Sequence, residues 1–200
     1  MIKYSELNLG QIEAVVNKLG GMEGVRRLLA GTVEIIAKSI LQLVNSEIKV
    51  SARECFVVGG NFKKGNAGIY YLGDNFQKWF GSKVETNIPA STLSSHKLMQ
   101  SSLDGPIKTE LGGNHETFLS WLFEKIEAQA DGREGELLVS GYANIFYVDG
   151  RVVYAGWNVG FGWDVHAYEV TNPDAWNDGR RVFSRNSVLK SSETLVQAQA

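Results

Sequence analysis

The chain has 200 residues, 44% hydrophobic and 21% charged, a mixture that excludes wholesale disorder and fibrous repeats. Twenty basic residues against 22 acidic ones give a formal net charge of −2, so no overall basic field exists to hold a nucleic acid or an anionic membrane. The lone Cys55 cannot close an internal disulfide, which fits a reducing, cytoplasmic setting.

Met1 to Asn8 carries no secretory pattern. Leu9, Ile12, Val15, Val16 and Leu19 then share one helical face, with Asn8 placed to cap it and Gly20-Gly21 to break it. Met22, Val25, Leu28 and Leu29 repeat the spacing until Gly31. This predicts a helical hairpin within a head spanning 1–46. A nucleic-acid-binding alternative would set Arg26 and Arg27 on a recognition helix. Balanced local charge and a short second helix argue for packing instead, and nucleic acid is not the expected partner. Thr32 to Val44 has features of both strand and helix. Its apolar window from Val33 carries Glu34 and Lys38 and is too short to span a bilayer.

An α+β body is predicted over 47–186. Cys55-Phe56-Val57-Val58 reads as a buried strand, with Cys55 as a small apolar residue. Ile69 to Leu72 reads as its hairpin partner across Lys63, Lys64, Gly65 and Asn66. Asp74 is placed to cap a short helix whose apolar side is Phe76, Trp79 and Phe80. Residues 82–113 show little periodicity and read as a long loop. Asn114 to Ala130 is the main helix, with Phe118, Trp121, Leu122 and Ile126 as its apolar stripe.

Leu137 to Val170 reads as a β-meander. Asp149-Gly150 between strand residues is a type I′ hairpin signal. It predicts the pairs Val148–Arg151, Phe146–Val153, Asn144–Ala155 and Tyr142–Trp157. A turn at Gly160-Phe161-Gly162 leads to a strand with Asp164, His166 and Tyr168 on one face and Trp163, Val165 and Ala167 on the other. Asn172-Pro173 should open one helical turn, ended by Gly179, and Arg181 to Arg185 a last strand. Residues 187–200 read as a flexible tail. The expected fold is thus an antiparallel meander packed by one main helix, with an N-terminal helical hairpin.

Two segments carry a resemblance: Leu9-Gly10-Gln11-Ile12-Glu13-Ala14 with Asn17-Lys18-Leu19-Gly20-Gly21, and Asn172-Pro173-Asp174-Ala175-Trp176-Asn177 with Val182-Phe183-Ser184-Arg185-Asn186. The chain there resembles an uncharacterised group of small bacterial proteins with a short helical head and a Trp-rich β tail. The resemblance implies a bacterial, cytoplasmic origin and carries over no catalytic residue.

Familiar catalytic patterns fail. His115-Glu116 opens like a zinc-protease helix, but position 119 is Leu where a second His is needed. Gly160-Phe161-Gly162 opens like a dinucleotide loop, but position 165 is Val. Cys55 and the three histidines at 96, 115 and 166 have no metal-ligand spacing, and no cofactor signature is read. A thiol site pairing Cys55 with His96 or His115 is a minor alternative.

Asp164, His166 and Tyr168 are the best polar constellation, an acid, an imidazole and a phenol on one strand face. They support a hydrolase-like alternative, with Ser184 the nearest guess for a nucleophile. The first reading is a non-enzymatic interaction protein. Its expected contact surface is Trp157, Trp163, Trp176, Arg180, Arg181 and Arg185, residue types that anchor interfaces. Its expected partner is another protein or a second copy. At least two of those three tryptophans are expected to be buried.

Overall fold

The computed structural model describes residues 8–33 and 39–186. The expected tail at 187–200, the first seven residues and residues 34–38 lie outside them. The chain divides into two compact units, Met1–Lys38 and Ser39–Ala200.

The first unit holds α1 (Leu9–Lys18) and α2 (Gly21–Leu29). Asn8 and Gln11 each accept the other's backbone N–H through a side-chain oxygen at 2.9 Å, a reciprocal cap on α1. Neither helix has a buried residue. Gly24 is needed where the helices meet, because a Cβ there would fall 1.5 Å from the Leu19 carbonyl oxygen.

The second unit is α+β. Its strands are β1 (Leu41–Val50), β2 (Arg53–Val57), β3 (Ile69–Leu72), β4 (Val84–Ile88), β5 (Ser91–Leu98), β6 (Asn144–Val148), β7 (Arg151–Asn158), β8 (Gly162–Glu169) and β9 (Arg181–Arg185). Its helices are α3 (Val58–Asn61), α4 (Asp74–Phe80), α5 (Asp104–Leu111) and α6 (Leu119–Ala128). Because β1 runs through residue 46, the head ends earlier than its predicted limit. Seven strands form one sheet in the order β1-β5-β9-β6-β7-β8-β3, and β2 pairs with β4 separately.

The β6–β7 turn follows from Asp149 and Gly150, both at positive φ (51° and 69°) as type I′ geometry requires. The register Val148↔Arg151, Phe146↔Val153 and Asn144↔Ala155 follows from it. The expected Tyr142–Trp157 pair does not form. Asn144 ends the ladder: its side chain accepts Leu138 N–H at 2.7 Å and donates to the Leu138 and Ala155 carbonyls.

Several other expectations are corrected. The sheet is mixed, because β9 runs parallel to β6 and β3 parallel to β8. It is therefore not a single antiparallel meander. Cys55 is exposed, not buried, since β2 turns only one side to the apolar core and Phe56 takes it, against Phe62 and Phe123. Cys55 to Val58 and Ile69 to Leu72 do not form a hairpin; they pair with β4 and β8 respectively. The supposed loop 82–113 contains β4, β5 and α5. The main helix starts at Leu119, not Asn114, because Glu116 bridges Tyr147 and Thr117 N–H donates to the Tyr147 carbonyl at 2.8 Å. Residues 172–179 form no helical turn; Trp176 bridges Ser102 instead.

Two apolar clusters flank the sheet. The larger joins Phe146, Val153, Trp163, Val165 and Phe183 to residues of α3, α4 and α6. The smaller joins Ile145, Tyr147, Val152 and Val182 to Ile107 and Leu111 of α5 and to Trp176. More than one helix therefore covers the sheet.

Candidate functional site

β7 and β8 pair in register, with Tyr154 opposite His166 and Gly156 opposite Asp164. Alternation along β8 sends Trp163, Val165 and Ala167 into the larger cluster. It leaves Asp164, His166 and Tyr168 half-buried on the other face. On that face an open cleft of about 460 Å³ is lined by Ser140, Tyr154, Gly156, Trp157, Asp164 and His166, among others.

The cleft has aromatic walls. His166 stacks on Tyr154 with centroids 4.9 Å apart and planes 8° from parallel. Tyr71 approaches His166 from β3 at 5.4 Å. Tyr154 also stacks with Tyr168 at 5.8 Å and meets the edge of Trp176 at 5.3 Å. Gly73 lets the imidazole seat, since a Cβ there would lie 2.8 Å from His166 Nδ1. Gly156 makes the floor: a Cβ on it would meet nothing within 4 Å.

Polar groups remain open here. Among the described residues, Asp164 Oδ1 is buried without a hydrogen-bond partner, as are Arg180 Nε and Nη1. Burial lowers the His166 pKa, opposed by the charge of Asp164, so the ring is mainly neutral at pH 7. Burial likewise pushes the Tyr154 hydroxyl up, so it stays a phenol. Arg180 lies beyond this ring, its Cζ 5.7 Å from the Trp176 centroid.

The six expected contact residues do not form one patch. Trp157 borders the cleft but turns its ring into the larger cluster, 5.2 Å from that of Trp163, while Trp176 and Arg180 lie together beside Tyr154. Trp163 is fully buried, its indole N–H donating to the Gln129 carbonyl at 3.0 Å. Arg181 reaches the Glu136 carbonyl and Arg185 the Gly113 carbonyl, both away from the cleft residues. Only Trp163 of the three tryptophans is fully buried; Trp157 and Trp176 are partly so, short of the expected two. Trp176 is held by its indole N–H donating to Asp104 Oδ1 at 2.9 Å.

Ser184 is not beside His166. Its Oγ lies 3.2 Å from His96 Nε2, across β5 and β9. Ser140, Tyr154, Gly156 and Asn158 were not singled out from sequence. The signal for Tyr154 and Gly156 was present: extending the register across the Gly160-Phe161-Gly162 turn sets them opposite His166 and Asp164. Ser140 comes from a distant loop, and no local pattern marks it.

Among the described residues, no group of three His, Cys, Asp or Glu side chains could hold a metal ion. No helix among them is long and apolar enough to cross a membrane. Searches against protein-family models, curated proteins and solved structures found no match.

Proposed function

We propose that this chain is a non-enzymatic binding protein of the bacterial cytoplasm that engages its partner, another protein or a second copy, through the aromatic face around the Gly156 cleft. The observation that carries the reading is the coincidence of a concave surface, aromatic walls and an unpartnered buried carboxylate oxygen on the same strands. Buried polar atoms normally have partners, and those left over mark places where another group completes them. Trp176 and Arg180 extend the surface beyond Tyr154. A catalytic use of His166 has less support, because the serine expected to act with it lies against His96.

Thermal shift under a broad ligand and peptide screen tests the proposal. A ligand that binds only the folded state raises the melting temperature. The expected result is one or more stabilising ligands whose effect disappears in Gly156→Leu, which fills the floor. Stabilisation that is equal in parent and variant for every ligand would remove the cleft from consideration.

A further inference from the structure

We infer that the cleft takes an organic cation, an alkylammonium or guanidinium group. The inference rests on the binding reading above and names the chemistry of its ligand. Among the described residues, Asp164 is the one formally charged side chain lining the cleft, and no lysine or arginine lines it. Its Oδ1 is buried and has no donor among the described residues. A carboxylate in that state is completed by a charge-assisted donor, and an N–H cation supplies one. The walls point the same way. Tyr154 and His166, stacked on one another, line the cleft with π-systems that attract positive charge, whereas the Trp157 ring packs on Trp163 in the larger cluster. His166 is a neutral ring at pH 7 and adds no repulsion. The space is also present: Gly156 lies in an ordinary strand opposite Asp164, and the volume a side chain would fill is empty. No ion pair joins Arg180 to Asp164 among the described residues, and Arg180 Cζ lies 5.7 Å from the Trp176 ring centroid.

Two sources share this chemistry: a free amine, and the basic side chain of a protein partner. The experiment uses the full chain, with isothermal titration calorimetry and backbone amide NMR shifts. The probes are spermidine, a blocked arginine (N-acetyl-arginine methylamide) and inorganic phosphate. The expected result is saturable binding of at least one cationic probe, with shifts at Gly156 and His166, and no binding of phosphate. Asp164→Asn should weaken that binding about tenfold or more, as loss of a charge-assisted contact does. Gly156→Leu should abolish it while the circular dichroism spectrum stays unchanged. Binding of blocked arginine alone identifies a partner's side chain, and of spermidine alone a free amine. Three results overturn the inference: phosphate binding at the same amides, cation binding that survives Gly156→Leu, or no cation binding up to millimolar concentration. A non-cationic ligand that is lost in Gly156→Leu would overturn the cation but leave the cleft as a binding site.

Discussion

At the scale of single residues, Asp104 shows how the smaller cluster is held. It is 1% exposed, and its Oδ1 accepts both the Tyr147 hydroxyl at 2.8 Å and the Trp176 indole N–H at 2.9 Å. Burial raises its pKa, while those two bonds and Lys108 act in the opposite direction. A raised folded-state value means the stability this group contributes is present below about pH 3.8 and is lost as the pH rises through the raised value. Asp104→Asn keeps an acceptor oxygen and removes the buried charge. It should therefore flatten the pH dependence in that range, with little change in stability at pH 7, measured by urea denaturation from pH 4 to 7. Asp104→Leu instead leaves two donors unpartnered and should cost about 2–4 kcal/mol. It should also shift Trp176 fluorescence.

At the scale of elements, α6 depends on a strand distant in sequence. Glu85 of β4 is 4% exposed, and its two oxygens accept Leu119 N–H and Ser120 N–H at 2.9 Å each. A carboxylate thus caps the positive end of the helix from outside it. Glu85→Ala should lower stability by about 2–3 kcal/mol, and Glu85→Gln by less, by chemical denaturation. This link also shows what sequence reading could and could not reach. The β6–β7 hairpin and the faces of β8 were legible because Asp149-Gly150 and strict alternation are local signals. β9 was legible as an element for the same reason. β5 was not: it reads Ser91-Thr92-Leu93-Ser94-Ser95-His96, and Ser94 and Ser95 are buried on its two faces between β1 and β9, where small size matters more than hydrophobicity. α5 was hidden by Gly105-Pro106, residues that suit a helix's first turn but read as loop. The cap on α6 was beyond any local pattern, since Glu85 precedes the helix by more than thirty residues. The candidate site was half legible: Asp164, His166 and Trp157 were named, and Gly156, which leaves the floor of the cleft empty, was not.

At the scale of the whole molecule, two half-buried imidazoles link stability to pH. Desolvation lowers the pKa of His96 and of His166 below 6.5, against opposing charges from Glu110 and Asp164 respectively. For each, the stability contribution is present above pH 6.5 and is lost as the pH falls through the lowered folded value, because the unfolded chain takes the proton first. The melting temperature should therefore fall between about pH 7 and pH 5. A His96→Gln, His166→Gln double variant should show a shallower fall by differential scanning fluorimetry.

The position of β9 has a consequence for synthesis on the ribosome. It is the last described strand in the chain, yet it lies between β5 and β6 in the sheet. Until residues 181–185 leave the exit tunnel, the nascent chain holds two sheet fragments, β1-β5 and β6-β7-β8-β3, each with an open edge. Pairing of one short segment on both its sides joins them. The sheet is therefore completed only once β9 has emerged, however early the hairpins form. A stop codon before Arg181 should yield not a shortened, working protein but an insoluble one, because both edges stay unpaired.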